Sequence, residues 1–338
     1  MKTKQILFTK PNVAELVEVA YSAPGADEVT VALEYSAIST GTEKANLTGM
    51  RNSTGAPEDE EPIFPRAVGY SASGVVTHIG SEIKDIAAGD RVIVYWGKHQ
   101  KNMTISRKNV MKIPDSITTA EASMALIATF PLGAIRKTKL EIGESAMVMG
   151  LGILGMFAVQ ELKAAGAYPI IAVDPIPERR AFALNIGADY AQNPQSEDFY
   201  AAVRRITDGG VNVCIEVTGL GIGLIQALDC MKRFGRIALL GCTRSSKFEI
   251  DYYGKVHGPG ISLIGAHTTA RPRKESSAGL WTDEDDLKTV INLIEGKRLN
   301  FQDMICEIHA PEKAPEVFSR LITEKNFPVG VLFDWRDL

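Results

Sequence analysis

Residues 145–174 read SAMVMGLGILGMFAVQELKAAGAYPIIAVD, and the order of residue types in this stretch decides the fold class. Four apolar residues, Ala146, Met147, Val148 and Met149, suit a strand buried on both faces. Gly150, Gly152 and Gly155 follow in G-x-G-x-x-G spacing. Phe157, Ala158, Leu162 and Ala165 then mark the apolar side of a helix that Gly166 ends. Residues 169–173, PIIAV, read as a second buried strand, and Asp174 closes it nineteen positions after Gly155.

Each part has a physical use. Gly150 permits a tight strand-to-helix turn. Gly152 lets the backbone approach a pyrophosphate, and Gly155 lets the helix lie close on the strand. The unpaired N–H groups at the helix start, around Ile153 and Leu154, and the helix dipole favour phosphate charge. Asp174 can accept hydrogen bonds from both hydroxyls of an adenosine ribose and would repel a 2′-phosphate, so the stretch predicts NAD as cofactor. Arg179 and Arg180 follow closely. They could stack on adenine or admit NADP, which keeps NADP as the alternative.

The chain has 338 residues, enough for two domains, with 45% hydrophobic and 23% charged residues. A net charge of −4 offers no basic field for nucleic acid or an anionic membrane. The first ten residues lack the apolar run of a signal peptide. No stretch is apolar enough to span a bilayer. Cys214, Cys230, Cys242 and Cys306 lack the close pairing of a zinc site or a disulfide framework, and a reducing cytoplasm is the expected location.

Residues 1 to about 120 read as β-rich, with strand-like runs at 29–35, 74–80 and 91–96. Between them, residues 51–62 read as a polar surface loop. Residues 120–139 carry helical spacing with a break expected at Pro131. After the dinucleotide stretch, helices are expected at 177–186, 199–207 and 223–232. They alternate with strands at 211–217, 235–241 and 261–267. That alternation builds a parallel, doubly wound sheet. Residues 282–295 and 314–324 read as amphipathic helices, and 328–333 as a last strand.

At this point the chain resembles the medium-chain dehydrogenase/reductase superfamily. The likeness rests on GLGILG, on GSEIKDIAAGDRVIV at 80–94, and on VNVCIEVTGLGIGLIQALDCMKRFGRIALLG at 211–241. The last matches a V-x-x-x-x-T-G, helix, G-R-x-x-x-x-G order. The resemblance implies an α/β chain: a GroES-like β-rich catalytic domain, residues 1–125 and 270–338, around a Rossmann NAD-binding domain, residues 126–269. It implies Thr218 and Gly241 beside the cofactor, and a homodimer or homotetramer.

Zinc members of that superfamily carry a Cys, a G-H-E motif and a third Cys or Glu. Here the first place reads SAISTGTE at 36–43, with Ser39 or Thr40 where the thiolate would be. The second reads Gly69-Tyr70-Ser71, and the third, at 126–131, has no thiol or carboxylate. Neutral hydroxyls do not replace the water a zinc ion gives up, so no zinc is expected. Within the superfamily, S-x-x-G-T-E together with VHGPGI at 256–261 and Gly265-Ala266-His267 is most similar to the zinc-free, bacteriochlorophyllide dehydrogenase-like group.

Without a metal, a side chain must take the hydroxyl proton or hold the developing charge. Candidates are Ser39, Thr42, Glu43, Tyr70, His99 and His267. Tyr70 leads as a substrate hydrogen-bond partner, and reads equally as a packed aromatic. Glu43 reads as a base or, more in keeping with the zinc relatives, as structural. Ser39 and Thr42 suit a proton relay or local backbone bonds. His99 suits a relay by intrinsic pKa, or a structural role. His267 lies at the end of a Rossmann strand, where ligands bind. Arg271, Arg273 and Lys274 read as a solvated basic turn, with anion binding as the alternative. The leading expectation is a zinc-independent NAD-dependent oxidoreductase acting on a secondary alcohol: a polyol, sugar derivative or cyclitol. The alternatives are a quinone- or enoyl-type C=C reductase and a non-catalytic NAD-binding sensor.

Overall fold

A computed structural model describes residues 1–50, 63–243 and 247–338 of the chain. The loop expected at 51–62 lies outside the described residues. The chain divides into two compact units, one of residues 1–127 and 301–338, the other of residues 128–300.

The second unit holds a six-stranded sheet in which every neighbouring pair is parallel. In spatial order the strands are Tyr190–Gln192, Ile170–Val173, Ala146–Met149, Val211–Glu216, Met231–Leu239 and Ser262–Gly265. Counted along the chain, that order is 3-2-1-4-5-6, the doubly wound arrangement. The strand order reverses between Ala146–Met149 and Val211–Glu216, which pair from Val213 opposite Ala146 to Glu216 opposite Met149. Both strands are almost wholly buried, so their apolar runs show no alternation.

The first unit is antiparallel for the most part. A larger sheet runs Glu307–His309, Val331–Asp334, Glu28–Ala37, Ser71–Ile79, Arg91–Tyr95, Val110–Lys112, and Asn102–Ser106 also pairs with Glu28–Ala37. A smaller sheet joins Val13–Ala20, Lys2–Lys10 and Arg66–Ala67. Phe8, Leu33, Phe318, Phe333 and Trp335 are fully buried in one core. Each such side chain removed from water stabilises the fold by roughly 1.5–3 kcal/mol.

Two boundaries and one side-chain reading differ from the sequence reading. Pro131 does not break its helix, which runs through it as Ala125–Thr138. The proline forfeits one backbone hydrogen bond, while the buried side chains of Leu126, Ile127, Phe130 and Ile135 on both sides of it hold the helix in place. The return to the first unit comes at residue 301, not about 270. The intervening residues are tied to the long helix by the ion pair of Asp286 with Arg136 at 2.8 Å and by Arg271, which donates to the Thr129 carbonyl at 3.1 Å; Arg271 in turn pairs with Asp283 at 2.7 Å and Asp286 at 3.5 Å within the segment itself. Arg271 is therefore no solvated turn residue; its side chain is 9% exposed.

Near these ion pairs lies an unpaid polar burial. Glu161, in helix Ile153–Ala164, is 2% exposed, and neither carboxyl oxygen has a hydrogen-bond partner among the described residues. Burial raises its pKa well above the usual range, Asp286 adds to the shift, and Arg136 opposes it. The unfolded chain ionises this group near 4.5, the folded chain only at higher pH. Its contribution to stability is thus fully present below that value and declines as pH rises toward the folded pKa. Glu161→Gln should therefore melt close to the wild type in mild acid and above it at neutral and alkaline pH, with the gap widening as pH rises. Thermal denaturation of both proteins across that range checks the sign.

Candidate functional site

In the second unit the nucleotide motif sits at the carboxyl end of Ala146–Met149, where the strand order reverses. Gly150 has φ +99°, a conformation that glycine adopts without steric cost, and its N–H donates to the Val173 carbonyl at 2.8 Å. Gly152 precedes the helix, and a Cβ there would meet nothing within 4 Å. The space in front of it is open, which suits a bound pyrophosphate. A Cβ on Gly155 would lie 2.0 Å from the Gly150 carbonyl oxygen. Only glycine allows the helix to start this close to the turn, and Ile153, Leu154 and Gly155 then supply its first N–H groups.

Asp174 is 5% exposed. Its Oδ2 accepts from the Leu151 N–H and its Oδ1 from the Ile176 N–H, each at 2.9 Å. Those bonds engage two of about four acceptor positions on a carboxylate, leaving capacity for two ribose hydroxyls. The Arg179 guanidinium stands 3.9 Å from Oδ2, and Arg180 donates to the Asp174 carbonyl at 2.7 Å. Thr218 and Gly241 flank the neighbouring strand end. A Cβ on Gly150 would touch the Thr218 methyl at 3.0 Å.

Glu216, which the sequence reading did not single out, organises that second turn. Its buried carboxylate accepts from the Thr218 N–H at 2.8 Å, the Thr218 hydroxyl and the Gly219 N–H at 3.2 Å. Burial raises its pKa, and the hydrogen bonds from Thr218 and Gly219 hold it down in part. The signal in the sequence was an acid ending an otherwise apolar strand, one residue before Val217-Thr218-Gly219.

His267 belongs to this unit too. It is exposed, and its Nδ1 lies 2.8 Å from the Thr269 hydroxyl and 3.3 Å from the Thr269 N–H. It borders a cavity of about 10 Å³, with room for one water, together with Phe130, Lys137, Arg271 and Trp281. Lys137 there is committed to the carbonyls of Gly265, at 2.9 Å, and Ala270.

In the first unit, four of the residues nominated from sequence meet. The Tyr70 hydroxyl donates to Ser39 Oγ at 2.5 Å. The Ser39 N–H donates to Glu43 Oε1 at 3.0 Å, and Glu43 Oε2 lies 3.1 Å from His99 Nε2. Ser39 is the residue before helix Thr40–Leu47, yet its hydroxyl makes no capping bond. Glu43 has taken over its backbone N–H, and the hydroxyl is turned to Tyr70. The Tyr70 ring lies against Trp96, with ring centres 5.7 Å apart. Thr42, half-buried on the same helix, joins none of these hydrogen bonds. His99 and Glu43 are both fully buried, so His99 is no solvent-facing relay.

Among the described residues these side chains are a poor set for zinc. Ser39 and Tyr70 are neutral hydroxyls bonded to each other, and the His99 imidazole and the Glu43 carboxylate are bonded to each other. Among the described residues no three His, Cys, Asp or Glu side chains gather as a metal site.

The family model described as zinc-binding dehydrogenase matches residues 154–281. The L-threonine 3-dehydrogenase of Thermococcus kodakarensis is 31% identical over 90% of this chain and 90% of its own length. The D-guloside 3-dehydrogenase of Shigella flexneri is 26% identical over 98% of this chain and all of its own. Among solved structures, 2R,3R-butanediol dehydrogenase from Bacillus subtilis superposes with a TM-score of 0.82 at 21% identity, covering 98% of this chain and 99% of that one. It shares the fold of this chain.

The closest steric constraint in the nucleotide motif yields a direct test. Gly155→Ala puts a methyl group into the Gly150 carbonyl and should destabilise the protein by about 1–3 kcal/mol, the usual cost of overpacking. Chemical denaturation measures the loss, and titration with NADH should show weaker binding by the folded variant.

Proposed function

Because the chain belongs to the medium-chain dehydrogenase/reductase superfamily, and is an NAD(P)-dependent oxidoreductase of the alcohol dehydrogenase kind, we propose that it oxidises a secondary alcohol on a polyol or sugar derivative with NAD and without zinc. The observation that carries this reading is the Tyr70–Ser39 hydroxyl pair, set on a buried carboxylate–imidazole pair, in the stretches that the family resemblance compares with the zinc ligands.

A nicotinamide cofactor held by the glycine turn at Gly150–Gly155 and by Asp174 would supply the hydride acceptor for the carbinol carbon. The protein then has to hold the substrate oxygen and remove its proton. The Tyr70 oxygen accepts the substrate hydroxyl. As that proton arrives, the phenol passes its own to Ser39 Oγ at 2.5 Å, and the serine gives up its own hydrogen, so that the net proton is released to the medium. Handing the proton along in one motion avoids a free tyrosinate, which is costly at neutral pH. In the reverse direction the phenol donates to the carbonyl oxygen. Glu43 takes no proton from substrate in this scheme; its oxygens are committed to the Ser39 N–H and His99, and it fixes where Ser39 points. The carboxylate of Asp174 receives the ribose hydroxyls and disfavours a 2′-phosphate, which supports NAD over NADP.

The names of the relatives favour carbinols flanked by oxygen or nitrogen: a glycoside 3-hydroxyl, the threonine 3-hydroxyl and a vicinal diol. A panel of glycosides, hydroxy amino acids, vicinal diols and enones, followed by nicotinamide absorbance, tests the substrate class. Turnover of enones and of no alcohol would instead make the protein a C=C reductase.

Tyr70→Phe should lower kcat on the best alcohol by about 100-fold, within the range for losing a positioned acid–base group, with NADH affinity unchanged. Asp174→Ser should weaken NADH and shift preference toward NADPH; fluorescence titration with both nucleotides decides, and an unaltered ratio refutes the ribose role. Protein purified without chelator should contain well under one zinc per chain by elemental analysis, and an equimolar content would refute the metal-free reading.

A further inference from the structure

Behind Glu43 the hydrogen bonds continue inward through two residues that the scheme above does not use. Strand Val331–Asp334 pairs antiparallel with Glu28–Ala37, placing Phe333 opposite Ser36. The next residue, Trp335, donates its backbone N–H to the Glu34 carbonyl at 2.8 Å. This register brings the indole to Ser36, whose Oγ accepts from Trp335 Nε1 at 2.8 Å. Ser36 Oγ also lies 2.7 Å from His99 Nδ1. Trp335, Ser36 and His99 are all fully buried. Gly69 is backed onto the imidazole, where a Cβ would stand 2.8 Å from the ring. Phe333 holds the ring edgewise, with centres 5.5 Å apart.

The donors and acceptors in this chain have one order that satisfies all of them. An indole N–H can only donate. It occupies one lone pair of Ser36, which has one hydrogen of its own to place. Among the described residues His99 Nδ1 is the acceptor within reach of it. Nδ1 is then unprotonated, the imidazole proton sits on Nε2, and Nε2–H donates to Glu43 Oε2. An imidazolium would turn Nδ1 into a donor and leave the Ser36 O–H buried without an acceptor, which is unfavourable. The Glu43 carboxylate, held from one side by His99, faces the Ser39 N–H with its other oxygen.

We propose that Ser36, His99 and Trp335 are positioning residues: they fix His99 as the neutral Nε2–H tautomer, which locks Glu43 onto the Ser39 backbone and thereby aims Ser39 Oγ at Tyr70. None of the three touches substrate. The inference rests on the Tyr70–Ser39 reading for its catalytic consequence, while the tautomer and the lock on Ser39 are independent of any activity.

The test uses the full chain in three forms: wild type, Ser36→Ala, and Trp335→Phe, which keeps an aromatic ring there but removes the indole N–H together with the second ring. Nitrogen-15 spectra of histidine-labelled wild type should show His99 neutral with Nε2 protonated at pH 7; a proton on Nδ1 overturns the proposal. Amide hydrogen exchange at Ser39 should quicken about tenfold in each variant while amides in strand Ala146–Met149, in the other unit, keep their rates. On the best alcohol, kcat should fall about tenfold in each variant with KM for NAD unchanged. Unchanged Ser39 exchange in both variants overturns the proposal whether or not the enzyme turns over an alcohol. Faster exchange with unchanged kcat overturns the catalytic link alone. If the wild type oxidises no alcohol, the function reading fails, and the tautomer and exchange results still decide the positioning chain.

Discussion

A buried carboxylate must be hydrogen-bonded, and the structure uses that requirement three times to shape a turn. Glu43 receives the N–H of Ser39, Asp174 those of Leu151 and Ile176, and Glu216 those of Thr218 and Gly219. An ionised carboxyl moved out of water loses several kcal/mol of solvation unless donors replace the water. Backbone N–H groups are the least mobile donors available, so the carboxylate and the turn fix each other. In every case the held turn carries a residue nominated for chemistry or for cofactor contact. Glu161 is the contrast: among the described residues it has no such donors and holds no turn, and burial raises its pKa well above the usual range.

The same logic explains why Ser39 is available. A serine before a helix ordinarily spends its hydroxyl on an exposed N–H of the first turn, a bond worth about 1 kcal/mol. Here that bond is absent. Glu43 reaches back to the Ser39 N–H from within the helix, and the hydroxyl is left for Tyr70. The helix gives up a local capping bond and the site gains an oriented hydroxyl. Such a trade is tolerable because the carboxylate is fixed from behind by His99.

The nucleotide half was legible in the sequence because glycine's uses are local. The spacing of Gly150, Gly152 and Gly155, the apolar runs on either side and the acid at Asp174 all act within thirty residues. The parallel, doubly wound sheet followed from the alternation of elements; its strand order came with the structure. The other half was legible only as a set of names. Ser39, Glu43, Tyr70 and His99 could be nominated, but their connection depends on strand register and on Gly69 yielding space to an imidazole. Ser36 and Trp335 were not nominated at all. They meet across 299 positions of sequence, and an ordinary serine in a strand next to an ordinary apolar pattern gives no local sign of it. Arg271 was misread for a related reason. Its partners Asp283 and Asp286 lie on the following helix, so the charge that looked exposed in a turn is neutralised within the fold.

The same hydrogen-bond demand acts on the hydroxyls at the positions that the family resemblance compares with zinc ligands. A neutral hydroxyl does not bring the charge that a divalent ion would balance. The hydroxyls must then be satisfied by one another or by the backbone. Ser39 is paired with Tyr70. Ser71, where the glutamate of the zinc motif would stand, donates to the Ser123 carbonyl at 2.6 Å and is buried. Two residues on, Ser73 bonds the Thr119 carbonyl at 2.5 Å, so the same strand pins the short helix Thr119–Ala122. One hydroxyl at these positions has become part of the scaffold, and one pair has been kept polar and oriented. Behind that pair stand Glu43 on the Ser39 N–H and the buried His99 on Glu43, so the orientation of Ser39 is set from within the first unit.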